Sequence, residues 1–201
     1  MGKNEKIFNI LMGMSVISWA SFGIIIDIET AHISSVRISI SVLNLFVGFL
    51  FLIRNRLVIQ AKYSSILLSL PSFIAAGLAF KISPRTDTWP IYAELLFLCG
   101  ASIAIVSFIF LGRNFSIFPS VRGIENRGPY RIVRHPAFLG EIIMITSCTI
   151  ASINIAAIFI MIFSLVTIII RIIAEEQVLK KVSAYRSYIK KVEYRMVPGI
   201  W

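Results

Sequence analysis

The sequence predicts an all-α integral membrane protein with about six transmembrane helices, a C-terminal helical hairpin and an amphipathic tail helix. Three observations carry that prediction. Apolar residues make up 57% of the 201 positions and charged residues only 15%, with a mean hydropathy of +0.85, far from the balance of a soluble domain. The apolar residues fall in runs close to the roughly 20 residues that a helix needs to cross the hydrocarbon core. The basic residues, finally, gather in alternate loops.

Taken in order, the runs are 7–26, 36–53, 64–82, 91–111, 137–151 and 154–173. The first follows Lys3 and Lys6, as a secretion signal would, but it is long and lacks a small-residue cleavage site, so it stays as a span. The second carries Arg37 at its mouth. The third contains Pro71, where a kink is expected, and ends at Lys81. The fifth is short, and only Ser152, Ile153 and Asn154 part it from the sixth, so these two form a tight antiparallel hairpin. After Arg171, Val178, Val182, Tyr185, Ile189 and Val192 recur at helical spacing among lysines and Arg186. That stripe reads as an amphipathic helix leaving the membrane and lying on its surface. The chain thus divides into a four-helix region, 1–111, and a loop, hairpin and tail, 112–201.

With the N-terminus inside, every basic residue except Arg37, Lys81 and Arg85 lies on the cytoplasmic side, as the positive-inside rule asks. Both termini are then cytoplasmic, and Trp89 and Tyr92 belong to an outer aromatic belt. The net charge of +10 suits loops beside an anionic leaflet. No soluble stretch interleaves basic and aromatic residues, so nucleic acid is not an expected partner. Cys99 and Cys148 sit singly in apolar runs and read as small hydrophobic residues, with no metal site expected.

Chemistry concentrates in two segments. One is Gly128-Pro129-Tyr130-Arg131-Ile132-Val133-Arg134-His135-Pro136-Ala137-Phe138-Leu139-Gly140-Glu141 and the other is Arg171-Ile172-Ile173-Ala174-Glu175-Glu176. Pro136 suits the first turn of the fifth helix, and free N–H groups at that helix start, with Arg134 beside them, suit an anionic group. Arg171, set among isoleucines, is either functional or snorkels to the headgroups. Glu175 lies one turn beyond it on the same helix face, whereas Glu176 is rotated by about 100° and faces elsewhere. The hairpin should bring His135 near Glu175.

These motifs, with the closing Arg195-Met196-Val197-Pro198-Gly199-Ile200-Trp201, resemble the isoprenylcysteine carboxyl methyltransferase family, in particular its small prokaryotic membrane members. The likeness covers about Gly112 to Trp201; the first four helices resemble nothing specific. It implies S-adenosylmethionine as cofactor, bound at the cytoplasmic end of the last helices, and a lipophilic acceptor arriving from the bilayer. By motif, the cofactor is held by Tyr130 and by His135, Pro136, Ala137 and Phe138, with Arg122, Gly123, Ile124, Glu125 and Glu175 completing the pocket. Arg171 matches the arginine that addresses the acceptor, and Phe138 stands where a tyrosine is common. The leading expectation is methylation of a lipid carboxylate, which needs orientation more than acid–base help and which arginine can clamp. Glu175→Gln is expected to weaken cofactor binding and Arg171→Ala to abolish turnover. The same hairpin suits phospholipid amine N-methyltransferases and NADPH-dependent sterol reductases, although Ala137 and the paired Glu175-Glu176 fit methyltransferases better. A non-enzymatic lipid-binding protein or a transporter is the remaining alternative, the latter disfavoured by the lack of internal repeats.

Overall fold

The computed structural model describes residues 2–201. It has seven α-helices: α1 (Lys3–Glu29), α2 (Ser35–Ile53), α3 (Tyr63–Ile82), α4 (Ile91–Leu111), α5 (Pro136–Ser152), α6 (Ile155–Leu179) and α7 (Ser183–Ile189). Five of them, α1, α2, α3, α4 and α6, are long and apolar enough to cross a membrane, and α5, at 17 residues, is shorter. The chain has the make-up of a multi-pass membrane protein. The boundaries follow local chemistry. Ser34 caps α2 by accepting the N–H of Arg37, Asn154 caps α6 by accepting that of Ala157, and Pro136 occupies the first turn of α5. Helix α3 continues through Pro71.

The helices alternate in direction, so the motifs gather at one end of the bundle with the start of α1. Helix α5 lies chiefly along α4 and α6 chiefly along α3, so each site helix takes its main partner from the first 111 residues. Gly100 and Gly140 let α4 and α5 meet backbone to backbone: a Cβ on Gly140 would come within 2.5 Å of the Gly100 carbonyl. Between α5 and α6 only Ile153 and Asn154 intervene, and Ile153 is held at φ 36° in the left-handed region. One apolar core runs along these helices through Trp89, Phe97, Phe138, Ile168, Ile172 and Met196.

Three features depart from the sequence reading. Trp89 is not in a lipid-facing belt: it is buried edge-to-face on Phe97 and donates its indole N–H to the Pro84 carbonyl, while Tyr92 points outward. The tail stripe is split. Helix α6 carries it to Leu179, the chain breaks, and α7 resumes it, so Val178 and Val182 pack on Ala61 and Val121 whereas Tyr185, Tyr188 and Val192 pack on Ile124. A two-residue antiparallel ladder, β1 (Ile59–Gln60) with β2 (Ser120–Val121), ties the loop after α2 to the loop after α4.

Candidate cofactor and acceptor site

The Arg134-His135-Pro136 motif is held from behind by the tail. The N–H groups of Arg134 and His135 donate to the carbonyls of Tyr194 and Arg195 at 3.0 and 2.7 Å. At the centre of this crossing lies the carboxylate of Glu176, 2% exposed. Around it stand Arg195 Nη2 at 3.1 Å, Arg134 Nε at 3.3 Å, the Tyr185 hydroxyl at 3.3 Å, His135 Nε2 at 3.5 Å and Lys180 Nζ at 3.6 Å. Buried charge is tolerated only when paired, and here one carboxylate answers several cations. The rotation that turns Glu176 away from Arg171 turns it into this cluster. It is His135's partner in the place expected for Glu175.

Glu175 is left half-buried, and no ion pair or hydrogen bond engages it among the described residues. It is close enough for its charge, together with burial, to raise the pKa of Tyr130. The Tyr130 carbonyl accepts a 2.7 Å hydrogen bond from the Tyr188 hydroxyl, which joins the Gly-Pro-Tyr turn to α7. That turn starts at Gly128, whose φ of 54° and contact with the Phe110 ring leave no room for a side chain.

The loop before it is fixed at both ends. Glu125 is buried; hydrogen bonds from the Arg127 guanidinium, at 2.8 and 3.1 Å, outweigh burial and hold its carboxyl below the usual range. Arg122 is turned away from Glu175: its guanidinium meets Glu5 of α1 at 2.8 Å and also bonds the Asn55 carbonyl. A cofactor held by Arg122 and Gly123 would therefore meet mainly backbone there. Gly123 lies against the Asn114 side chain, and Ile124 packs on the tail tyrosines. Burial, with Arg122 nearby, pulls the pKa of Arg54 in the same corner down to about 10.

Deeper in the bundle Arg171 is enclosed. Its guanidinium lies 4.1 Å from the ring centre of Phe73 and 4.6 Å from that of Phe138. Nη1 donates to Ser72 Oγ at 3.2 Å and stands 3.8 Å from Glu141 Oε2, and Nη2 donates to the Ile117 carbonyl at 3.0 Å. Phe138 also stacks obliquely on His135 at 5.7 Å, so the two motifs share one aromatic wall. Pro136 is fully buried beneath them and Ala137 is partly exposed beside them.

The structure thus gathers Tyr130, His135, Phe138, Arg171 and Glu175 at one end and directs the Arg122 side chain elsewhere. Glu141, Glu176, Ser72 and Phe73 are additions. Glu141 and Glu176 were visible inside the motifs, but Ser72 and Phe73 have no local signal. A sulfonium cofactor with a ribose and an amino-acid moiety fits what is present: an unengaged, half-buried carboxylate at Glu175 beside the buried Tyr130 and Phe138 rings.

Residues 89–186, just under half of the chain, match the family model of the phospholipid methyltransferases. That family belongs to the same membrane methyltransferase superfamily as the isoprenylcysteine carboxyl methyltransferases. No curated protein matches the chain.

Proposed function

We propose that the protein is an S-adenosylmethionine-dependent methyltransferase of the cytoplasmic membrane face whose acceptor is the amine of a phospholipid. One observation carries the choice of an amine over the carboxylate expected from sequence: Arg171 already faces Glu141, besides Ser72 and the Ile117 carbonyl. A second carboxylate entering there would meet the charge of Glu141, whereas an ammonium would be drawn to it. The family match to phospholipid methyltransferases supports the same reading.

When bound, S-adenosylmethionine supplies the methyl group, whose bond to sulfur breaks with its electron pair staying on sulfur. The chain's own residues do the rest. Glu175 takes the cofactor's hydroxyls or ammonium, and Tyr130, Phe138 and the backbone of Arg122–Glu125 shape its pocket. Glu141 accepts a proton from the lipid ammonium and frees the nitrogen lone pair for attack. Arg171 holds Glu141 in place, and the rings of Phe73 and Phe138 keep water away from the pair. Positioning of this kind is the main contribution available for an in-line displacement. In this reading residues 112–201 are the catalytic unit and 1–111 its support.

The test is transfer of tritiated methyl from S-adenosylmethionine in nanodiscs containing phosphatidylethanolamine and an isoprenoid acid. Base-stable label in the phospholipid headgroup is the expected result. Label released by base as methanol would establish the carboxylate acceptor. No label in either, with S-adenosylhomocysteine failing to bind, would end the methyltransferase reading.

A further inference from the structure

A second polar site lies at the opposite end of the bundle and takes no part in that chemistry. Asp27, near the end of α1, and Arg37, near the start of α2, face each other with Nη2 and Oδ1 2.5 Å apart. Buried Asp27 Oδ1 and Arg37 Nε have no hydrogen-bond partner, and neither side chain has any other partner among the described residues. An ion pair this close to hydrocarbon is costly unless its remaining donors and acceptors are met.

Two grooves leave this pair, both lined by Asp27, Arg37 and Ser41. One, about 320 Å³, runs past Gly23 to Trp19 and Asn44. The other, about 270 Å³, runs between Ile24 and Leu45. Their walls are otherwise apolar, and Trp19 and Phe22 are among the most exposed large side chains there. The eight residues from Asp27 to Trp19, or from Arg37 to Leu45, span roughly 12 Å of helix. Half the hydrocarbon core is roughly 15 Å.

We infer that this is a binding site for one diacyl phospholipid with a primary-amine zwitterionic headgroup, in the leaflet opposite the methyl-transfer site. The phosphate meets the free donors of Arg37, the ammonium donates to the other oxygen of the Asp27 carboxylate, and the two acyl chains lie in the two grooves. A primary ammonium has N–H donors for that oxygen and a trimethylammonium has none, so the site selects the former. The neutral pair likewise disfavours a net anionic headgroup.

Native mass spectrometry of the detergent-purified chain, titrated with dioleoyl-phosphatidylethanolamine or dioleoyl-phosphatidylcholine without cofactor, tests this. The expectation is one retained lipid with about tenfold preference for the ethanolamine form, and loss of that preference in Asp27→Asn. Because that variant could unfold, Gly23→Leu is the second: no atom lies within 4 Å of a Cβ there, so it fills the larger groove and leaves the ion pair intact. It should weaken retention at least fivefold. Glu141→Gln, which removes the charge proposed to draw the acceptor's ammonium, should bind this lipid like the wild type, which separates the site from the methyl-transfer pocket. Equal retention of both lipids, or wild-type retention by Gly23→Leu, would overturn the assignment.

Discussion

The two halves of the chain divide the work unequally. The motif-bearing half presents the groups that would touch a cofactor or acceptor: Glu175, Tyr130, Phe138, Glu141 and Arg171. The helices without motifs present what holds those groups: Glu5 against Arg122, Asn55 against the same guanidinium, and Ser72 and Phe73 around Arg171. Likeness to a family therefore marks the groups proposed to react, while their supports come from sequence that resembles nothing in particular.

Mutations can break that comparison. The largest effect is expected within the motif half itself, at Glu176. Glu176→Ala leaves Arg134, His135 and Arg195 without their buried counter-charge, a change of about 3–5 kcal/mol. Denaturation of the reconstituted protein followed by tryptophan fluorescence should show it, with folded protein lost at moderate denaturant. Next is Arg171→Ala, expected to abolish turnover in the tritium assay while S-adenosylhomocysteine affinity stays within about threefold. Glu175→Gln is expected to do the reverse of a structural lesion: cofactor affinity falls at least tenfold, from loss of a charge-assisted hydrogen bond worth about 1.5–3 kcal/mol, and the unfolding midpoint stays put. If Arg171→Ala lost the cofactor and Glu175→Gln lost only turnover, the assigned roles would be exchanged.

The support half should give graded effects. Glu5→Gln removes the charge facing Arg122 from a helix far away in sequence; KM for S-adenosylmethionine should rise a few-fold with kcat nearly unchanged, and Glu5→Asp should recover part of it. A kcat loss with constant KM would make α1 a general stabiliser and not a support of the cofactor loop. Smallest is the pH effect at Glu125. Its carboxyl is held below the usual range by Arg127, so its contribution is complete above that range and is lost as pH falls through the lowered value. Because Arg127 is well exposed, with 67% of its side chain accessible, the loss is slight. Cofactor affinity of Glu125→Gln should be less sensitive to acid than that of the wild type.

Much of this was legible in the chain. Hydropathy located the helices, and the prolines, glycines and Arg-His-Pro run located the end of the bundle where the motif residues gather, because both signals are local. What escaped was non-local. Helical spacing turned Glu176 away from Arg171 correctly, but nothing in the spacing says that the chain returns through Arg195 and Tyr185 to meet it. Ser72 and Phe73 sit in an ordinary apolar helix, and only the packing of α3 on α6 gives them a role. The Trp89 reading failed because an aromatic residue beside a span was given to the lipid when the bundle had room for it.

The turn between α5 and α6 has a mechanical consequence. A β-branched residue in the left-handed region costs about 1–2 kcal/mol, and Ile153 and Asn154 leave no slack between two helices. Such a joint allows little sliding of one helix past the other. Glu141 and Arg171 ride on opposite arms of it, so the turn helps set the axial register in which those two side chains meet.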